Sequence, residues 1–324
     1  MKTVALICGV SGQDGSYLAK FLLDKDYEVW GTSRDAQGTG FANLNKLGIR
    51  DKVNLISMVP EDFRSVLVAL YQSDPDEVYY LAGQSSVGLS FEQPAETIQS
   101  IAIGTLNVLE ACRMLKNPPK IYQAGSSECF GDTGGVPANE ATPFHPQSPY
   151  AVAKTSAFWL VDNYRQAYGL HASTGVLFNH ESPLRPKRFV TQKIILAAHR
   201  IANGSNEILE LGCLDISRDW GWAPEYVEAM WLMLQKDTPE DFVIATGKSH
   251  TLEQFVEAAF SYQGLDYKEH VCRSESLIRP SELILSVGDP SKAEAKLGWK
   301  ATCDMKSVIK KMLKSLKKNT STFI

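Results

Sequence analysis

Tyr150 and Lys154 are four residues apart in a segment with helical periodicity, a spacing that places a phenol and an ammonium on one helix face. A free tyrosine, with a pKa of about 10, is a poor base at neutral pH, but a fixed cation favours the phenolate. Such pairs also arise by chance in many helices. The pair therefore predicts a lysine-assisted tyrosine base only in combination with a second signal.

A glycine-rich turn supplies that signal. Gly9, Gly12 and Gly15, with Gln13 and Asp14 between them, follow the first predicted strand and precede a predicted helix. Glycines at this spacing permit a tight turn and a close approach of the backbone to a pyrophosphate at the positive end of the helix. The alternative is a turn that binds no ligand. At the first strand-to-helix turn the pattern favours dinucleotide binding and, with the Tyr-Lys pair, hydride transfer.

A Gly-Ser-Ser-Glu run directly follows the predicted strand Lys120–Ala124. Open α/β sheets place their chemistry at such carboxyl ends of strands. The Ser126 hydroxyl can share a substrate hydrogen bond with Tyr150. Glu128 is a candidate second base, which a simple alcohol dehydrogenase does not need; the alternative for it is a surface or helix-start carboxylate.

The choice of cofactor depends on Ser33-Arg34-Asp35, at the end of the second predicted strand. Arg34 beside a small hydroxyl favours the 2'-phosphate of NADP, whereas Asp35 could accept a hydrogen bond from the ribose of NAD or simply be solvated. We expect NADP, with NAD as the alternative. The cysteines lack the close pairs of zinc sites, so no metal site is expected.

Short β-branched runs alternate with helix-like segments through the first half of the chain. The predicted strands are Thr3–Val10, Tyr27–Ser33, Val53–Ser57, Glu77–Leu81 and Lys120–Ala124, and the helix-like segments have apolar residues at Leu18, Phe21 and Leu22, at Val66, Leu67 and Leu70, and at Leu106, Leu109 and Cys112. This alternation, with nearly continuous apolar strands, predicts a Rossmann-type, doubly wound parallel α/β sheet covered on both faces.

The alternation loosens after Phe178. We expect a dinucleotide-binding domain with the catalytic residues over 1–178 and a smaller C-terminal, substrate-binding lobe over 179–324, from which segments return to the first domain. The stretch Ser182–Lys193 is dense in Pro, Arg and Lys. In Lys306–Lys318 one helical face is apolar and the other carries lysines, with Val308, Ile309, Met312, Leu313 and Leu316 on the apolar face. A helix docked on its own domain is favoured over a membrane-surface helix.

Composition excludes several other classes. The chain has 324 residues, 44% apolar and 22% charged, with a formal charge of -4, which fits a globular protein with a large core and argues against a general nucleic-acid or membrane surface. No apolar run reaches the roughly 18 residues of a membrane span, and the N-terminus does not resemble a signal peptide. The six scattered cysteines fit reduced thiols in a cytoplasmic protein.

Several longer motifs carry a resemblance to a known family. They are GVSGQDGSYL from Gly9, SPYAVAK from Ser148, NHESP from Asn179, RDWG from Arg218, EYVEAMWLMLQ from Glu225 and KLGWK from Lys296. Over nearly its whole length the chain resembles the GDP-mannose 4,6-dehydratases, which are extended short-chain dehydrogenases/reductases. The family's Ser-Thr-Ser-Glu run is Gly125-Ser126-Ser127-Glu128 here, so the hydroxyl is kept on a side chain with a freer rotamer.

The resemblance implies a lyase that removes water from GDP-mannose and yields GDP-4-keto-6-deoxymannose. Oxidation at C4 makes the C5 hydrogen acidic, water is eliminated across C5 and C6, and the hydride returns to C6. Tyr150, supported by Lys154 and Ser126, would take the proton of the C4 hydroxyl. Glu128 would remove the C5 proton and help to protonate the leaving hydroxyl.

The resemblance also implies binding residues. Those for the cofactor are Gly9, Gly12, Gln13, Asp14, Gly15, Arg34, Leu81, Ala82, Gln84, Tyr150 and Lys154, and those for the GDP-sugar are Ser85, Asn179, Glu181, Lys193, Arg218, Arg279 and Glu282. Arginine and lysine suit phosphate oxygens, although a surface salt bridge is the ordinary alternative for each charged residue. His180 fits a packing role and a ligand role equally well.

Two departures limit what the resemblance implies. The family follows its second strand with paired arginines and serines, in a loop that reaches the neighbouring subunit's cofactor, whereas this chain has Asp35-Ala36-Gln37-Gly38. We expect a homo-oligomer, with dimer and tetramer both open. Met58-Val59-Pro60 stands where a carboxylate usually contacts adenine, and Glu61 and Asp62 come slightly later. The adenine contacts therefore stay open.

Two alternative functions have to be weighed. One is a related GDP-sugar enzyme that acts on a heptose analogue or only reduces a 4-keto group; the other is a non-enzymatic NADP sensor. Glu128 argues against a pure reductase, and the retained Tyr150 and Lys154 argue against a sensor. A larger sugar is not excluded by the sequence.

Overall fold

The computed structural model describes residues 2–278 and 280–320, with no side-chain description for 318–320. The strands are Val4–Cys8 (β1), Glu28–Ser33 (β2), Asn54–Ser57 (β3), Glu77–Tyr80 (β4), Lys120–Ala124 (β5), Ala172–Leu177 (β6), Asn179–Glu181 (β7), Leu209–Leu211 (β8), Ser217–Trp222 (β9), Phe242–Ile244 (β10), Ser249–Thr251 (β11) and Val271–Arg273 (β12). The α-helices are Gln13–Asp24 (α1), Ala42–Lys46 (α2), Phe63–Ser73 (α3), Val87–Glu92 (α4), Pro94–Ile98 (α5), Gly104–Arg113 (α6), Pro149–Tyr168 (α7), Val190–Ala202 (α8), Ala223–Leu234 (α9), Leu252–Ser261 (α10), Ser291–Leu297 (α11) and Met305–Thr320 (α12), and a π-helical segment, Gln99–Ile103, joins α5 to α6.

A seven-stranded sheet in the order β10-β6-β5-β4-β1-β2-β3 forms the centre of the molecule. Every neighbouring pair in it is parallel. The five predicted strands of the first half are present in this sheet; Lys120–Ala124 has the predicted bounds, and the other four are one to three residues shorter than predicted. The predicted Rossmann-type α/β architecture is confirmed.

Helices cover both faces of this sheet, as the apolar strands require. In β1, Ala5 and Ile7 join the core beneath α1 and α9, whereas Leu6 and Cys8 join the core beneath α3, α6 and α7. Successive side chains of a strand point to opposite faces. Alternation of polar and apolar residues is therefore absent from β1, which is buried on both sides.

A second, smaller layer of structure is built from the three-stranded sheet β11-β9-β7, the pair β12-β8 and the helices α8, α10 and α12. The apolar face of α12 packs against α8 and α10, and Val308, Ile309, Met312 and Leu313 are buried there. The predicted docking of this basic helix on its own domain is confirmed. From the same half of the chain, β10 and α9 pack into the central sheet.

All six cysteines are unpaired, and Cys8, Cys112, Cys129 and Cys303 are buried. Among the described residues, none of the helices combines the length and apolarity that crossing a bilayer requires.

The docking of α12 can be tested by Leu313→Ala. The Leu313 side chain is fully buried, so its truncation should lower the free energy of unfolding by about 2 to 5 kcal/mol. The exposed neighbour Lys314 provides the control, since Lys314→Ala should change stability by less than about 0.5 kcal/mol. Urea denaturation followed by circular dichroism measures both, and equal midpoints for the two variants would contradict the buried position.

Candidate active site

Two adjoining cavities open at the carboxyl edge of the central sheet. The first, about 470 Å³, follows the glycine turn and the ends of β1 and β2. The second, about 350 Å³, lies between the end of β5, the start of α7 and the smaller layer. Asp14, Leu81, Ser85, Arg185 and Arg188 line both cavities. Two ligands, one in each cavity, could therefore meet at this boundary.

The glycine turn is shaped for a phosphate group. Gly9 has a φ of 91°, and a Cβ there would lie 3.0 Å from the Ala82 backbone nitrogen. A Cβ at Gly15 would lie 2.4 Å from the Gly9 carbonyl oxygen. Helix α1 begins at Gln13, which also lines the cavity. Its N-cap is Gly12, which has no side chain to cap the first N–H groups. Its N–H groups and positive dipole end thus face the first cavity, which suits a dinucleotide pyrophosphate.

Gln13 and Asp14 line the first cavity, but their side chains bind within the protein. The Gln13 amide donates to the His180 carbonyl oxygen at 3.1 Å, and the Ser182 hydroxyl donates to Gln13 Oε1 at 2.7 Å. Asp14 Oδ2 lies 3.0 Å from His180 Nε2. These contacts join the glycine turn to the segment after β6.

His180 contacts the Asp14 carboxylate, and the contact is an ion pair when the imidazole is protonated. The Phe178 carbonyl oxygen lies 2.7 Å from His180 Nδ1 and can only accept, so Nδ1 donates to it, and in the protonated ring Nε2 donates to Asp14. Burial by itself would lower the pKa of His180, but Asp14 outweighs burial and the pKa is raised. Burial would likewise raise the pKa of Asp14, but His180, the hydrogen bond from Gln13 and the charge of Arg185 together outweigh burial, and that pKa is lowered. His180 also stacks on Tyr226, with 4.5 Å between ring centroids, so its role in the structure includes packing.

The far end of the first cavity is lined by Arg34, Met58 and Glu61. Arg34 NH1 lies 3.6 Å from Glu96 Oε1. Asp35, the alternative ribose partner, instead accepts hydrogen bonds from two backbone N–H groups of its own loop. Its carboxylate thus stabilises a turn.

The loop after β4 forms one wall of the first cavity and contains Leu81, Ala82, Gln84 and Ser85. The Gln84 backbone N–H donates to Ser100 Oγ at 3.3 Å, and its side-chain amide donates to the Ser86 carbonyl oxygen at 2.8 Å. The structure therefore brings all four residues to the positions where the sequence predicts a ligand.

Ser126, Glu128, Tyr150 and Lys154 line the second cavity together. Ser126 follows β5 and begins a short 3-10 turn, in which its hydroxyl accepts from the Glu128 backbone N–H at 3.3 Å. Helix α7 begins with a proline at its first position and Ser148 as N-cap, one residue before that proline. This early start places Tyr150 and Lys154 at the cavity end of a long helix.

Burial controls the electrostatics of the Tyr-Lys pair, since each side chain is 8% exposed. Burial raises the pKa of Tyr150 above its usual value, a hydrogen bond with Ser126 opposes the rise, and the negative charge of Glu128 adds to it. Burial lowers the pKa of Lys154 from 10.5 to about 8. The Lys154 ammonium donates to the Ala124 carbonyl oxygen at 2.7 Å. The sequence predicts a Tyr150 pKa lowered by Lys154, but in the ligand-free protein the pKa is raised, because desolvation by burial is the largest influence on it.

The predicted nucleotide-sugar residues line the second cavity, except for Arg279, which lies outside the described residues. Those that line it are Ser85, Asn179, Glu181, Lys193, Arg218 and Glu282. Arg218 is buried and lies 3.1 Å from Glu282 Oε1, and Lys193 donates to the Glu210 carbonyl oxygen at 2.7 Å. Glu181 is buried and accepts from the Thr191 hydroxyl at 2.7 Å, so one of its oxygens serves the fold.

Arg185 was not predicted, although it lies where the two cavities meet. Its Nε is 3.2 Å from Glu181 Oε2, and its guanidinium lies 3.8 Å from the centre of the Phe189 ring. Its charge also favours the phenolate of Tyr150. The dense Pro, Arg and Lys stretch around it was the available signal, but composition alone does not say which of its cations faces inward.

A parallel Rossmann-type sheet, a glycine turn at its first strand and a Tyr-Lys pair beside a seryl hydroxyl together define a short-chain dehydrogenase/reductase. The family model described as GDP-mannose 4,6 dehydratase matches residues 6–312. The chain belongs to that family, and the resemblance noted in its motifs is confirmed.

Relatives from several kingdoms match almost the whole chain. GDP-mannose 4,6 dehydratase 1 of Arabidopsis thaliana is 45% identical and the match covers 96% of this chain and 89% of the relative. The GDP-mannose 4,6-dehydratase of Vibrio cholerae is 44% identical over 92% and 90% of the two chains. The human GDP-mannose 4,6 dehydratase is 40% identical over 96% and 91%.

Solved structures show the same fold. The Thermus thermophilus UDP-glucose 4-epimerase complex with NAD has a TM-score of 0.84 at 25% identity, covering 97% of this chain and 98% of that chain. RMD from Pseudomonas aeruginosa, complexed with NADPH, has a TM-score of 0.80 at 22% identity, covering 98% and 100%.

The buried ammonium makes stability depend on pH, and Lys154→Met tests this. Between pH 8 and pH 10.5 the unfolded chain binds the Lys154 proton and the folded chain does not. The stability of the wild type should therefore rise by about 3 kcal/mol relative to that of the variant across this window. Urea unfolding of cofactor-free protein at both ends of the window measures the difference. The exposed Lys116→Met is the control, and a Lys154→Met difference that does not change with pH would contradict the buried charge.

Proposed function

We propose that this protein dehydrates GDP-mannose to GDP-4-keto-6-deoxymannose. The observation that carries the proposal is that Glu128 lines the same cavity as Ser126, Tyr150 and Lys154. A reductase needs only the tyrosine, lysine and serine, whereas an elimination also needs a group that removes a carbon-bound proton. The names of the relatives favour the same reaction.

The chemistry follows from the low acidity of the C5 hydrogen of a hexose, which a neighbouring C4 ketone raises. Tyr150 Oη takes the proton of the C4 hydroxyl, and the Ser126 hydroxyl holds that oxygen in place. A nicotinamide cofactor, held by the glycine turn and the loop after β4, would supply the hydride chemistry: acceptance from C4 and later donation to C6. Glu128 removes the C5 proton and protonates the C6 hydroxyl, which leaves as water. When C6 receives the hydride, C5 takes up a proton, which balances the one that Tyr150 removed from the C4 hydroxyl. Each proton transfer of this kind contributes about 10²- to 10⁴-fold to the rate.

Tyr150 needs nearby positive charges to act as a base, and three groups would provide them. In the ligand-free protein, burial strongly disfavours the phenolate form of Tyr150. The Lys154 ammonium and the Arg185 guanidinium flank the cavity, and an oxidised nicotinamide ring carries a further positive charge. A pKa raised by desolvation responds strongly to such charges, because the low dielectric that raises it also strengthens their field.

We infer that NADP is the preferred cofactor. The glycine turn and the N-terminus of α1 would hold the pyrophosphate, and Leu81, Ala82 and Gln84 would border the nicotinamide half. Arg34 lines the cavity at the far end, whereas the carboxylate of Asp35 is taken up by its own loop. This arrangement favours a 2'-phosphate over a bare ribose.

We propose that the GDP-sugar occupies the second cavity. Lys193 and Arg218 would face the diphosphate and ribose, with Arg279 as a further cation by its place in the family motif. Asn179, Ser85 and Glu282 would meet the sugar or the guanine. The residues 1–178 would then serve chiefly the cofactor and the chemistry, and 179–324 chiefly the nucleotide-sugar, although β10 and α9 pack into the first unit.

We further propose that the enzyme acts in the cytoplasm as a homo-oligomer. Six unpaired cysteines support a reducing compartment. Val152 and Trp159 are exposed on α7, Trp159 at 56%, and such apolar exposure on one helix supports contact with a second copy.

Incubation with GDP-mannose tests the reaction. We expect a product lighter by one water, formed without net consumption of added NADP, because the hydride removed at C4 is returned at C6. Mass spectrometry of a panel of GDP-sugars, including a heptose analogue, measures the reaction type and the substrate together. Protein that binds NADP but leaves GDP-mannose unchanged in mass would overturn the assignment.

Glu128→Gln tests the elimination step separately. The amide keeps the size of the side chain but cannot accept the C5 proton, so the overall rate should fall by about 10²- to 10⁴-fold. Oxidation at C4 should still occur once, seen as a stoichiometric absorbance of reduced nicotinamide that persists. The exposed Glu269→Gln is the matched control. Wild-type turnover in Glu128→Gln would remove the proposed role.

A further inference from the structure

An ion pair spans the rim of the first cavity. Arg34 NH1 lies 3.6 Å from Glu96 Oε1, and the two side chains are 75% and 51% exposed. Both residues line the cavity. An exposed pair of this kind contributes little to stability. Its importance lies in its position, at the end of β2 where an adenosine ribose binds in Rossmann-type folds.

The backbone of Glu96 is held firmly although its side chain is exposed. Glu96 lies in α5, directly before the π-helical segment. The Tyr80 hydroxyl donates to the Ser100 carbonyl oxygen at 2.7 Å, and the Gln84 side-chain amide donates to Thr97 Oγ1 at 3.2 Å. The loop after β4 thus fixes this helix from behind. Thr97 and Ser100 make these contacts, while Glu96 and Ser100 line the cavity.

Asp35, the neighbour of Arg34, does not compete for this position. Its Oδ1 accepts from the backbone N–H groups of Gln37 and Gly38 at 3.0 and 2.8 Å. The Ala36 N–H donates to the Ser57 hydroxyl at 3.0 Å, which folds the loop towards β3. The carboxylate beside the Arg34 guanidinium is therefore that of Glu96.

We propose that Glu96 limits the specificity for NADP. Its carboxylate competes with the 2'-phosphate of NADP for the Arg34 guanidinium, and it therefore makes the preference for NADP over NAD smaller than Arg34 alone would give. This inference rests on the proposed nicotinamide cofactor. A phosphate monoester carries a charge near about -2 at neutral pH, so it attracts Arg34 and repels Glu96 at the same time. The ribose hydroxyl of NAD is uncharged and can donate to the carboxylate.

The expected size of the effect follows from Coulomb's law. A doubly charged phosphate within about 6 Å of a carboxylate, in a solvent-exposed rim, loses about 5- to 20-fold in affinity. Salt screens exposed charges over about 10 Å at 0.1 M ionic strength. The effect should therefore be measured at low ionic strength and should shrink as salt is added.

Cofactor titrations of Glu96→Gln test the proposal without reliance on turnover. Cofactor-free wild type and variant are titrated with NADP and with NAD, and dissociation constants are measured by calorimetry. Glu96→Gln should bind NADP about 5- to 20-fold more tightly and NAD within about twofold of wild type. Glu92→Gln, which removes an exposed carboxylate that does not line the cavity, should leave both constants unchanged. An NADP-to-NAD affinity ratio that Glu96→Gln leaves within twofold of wild type would overturn the proposal.

The Arg34→Gln background tests whether Arg34 is the contested cation. Arg34→Gln alone should lose most of the NADP preference. Adding Glu96→Gln should then change the affinity ratio by less than it does in wild type, because only the direct repulsion between Glu96 and the phosphate remains. A full effect of Glu96→Gln without Arg34 would overturn the competition. Wild type that binds neither NADP nor NAD would overturn the proposed function itself, whereas binding of both with an insensitive ratio would overturn the role of Glu96 alone.

Discussion

Desolvation of a phenol and an ammonium at one sheet edge is the interaction on which the site depends. Burial lowers the pKa of Lys154 to about 8, and its ammonium donates to the Ala124 carbonyl oxygen. Burial also raises the pKa of Tyr150 and so favours its neutral phenol. Burial thus disfavours the charged form of each group. Charges brought by ligands act on them through a low dielectric and therefore have large effects.

The rest of the fold buries Tyr150 and Lys154 and places them at the carboxyl edge of the sheet. The central sheet places the ends of β1, β4 and β5 side by side, so a glycine turn, a cavity wall and a seryl hydroxyl meet at one edge. The contact of Asp14 with His180 and the hydrogen bonds of Gln13 then tie this edge to the second half of the chain. The two cavities therefore share one wall.

Local patterns made much of this predictable. The apolar strands, the helix periodicity and the glycine spacing are properties of neighbouring residues, and they led to the sheet, to α7 and to the cavity-lining positions of Tyr150, Lys154, Ser126 and Glu128. Contacts between residues far apart in the sequence are not indicated by any local pattern. Asp14 and His180 are 166 residues apart, and no periodicity relates Arg34 to Glu96.

The error about the Tyr150 pKa has a similar cause. Sequence shows that a lysine is four residues away, but not how much water each side chain loses. In the folded protein both are almost fully buried, and desolvation is the largest influence on the pKa of Tyr150. The effective base needs charges from outside its own helix, among them Arg185, whose inward position depends on the tertiary fold.

The place of β10 at the edge of the central sheet has a consequence for synthesis of the protein on the ribosome. β6 pairs with β5 on one side and with β10 on the other, yet β10 is translated only after Asp241. Until then the nascent chain presents β6, whose six residues are all buried in the folded protein, as an open strand edge, which invites pairing with other chains. Ribosome-bound intermediates that end between β6 and β10 should be the species most in need of chaperones.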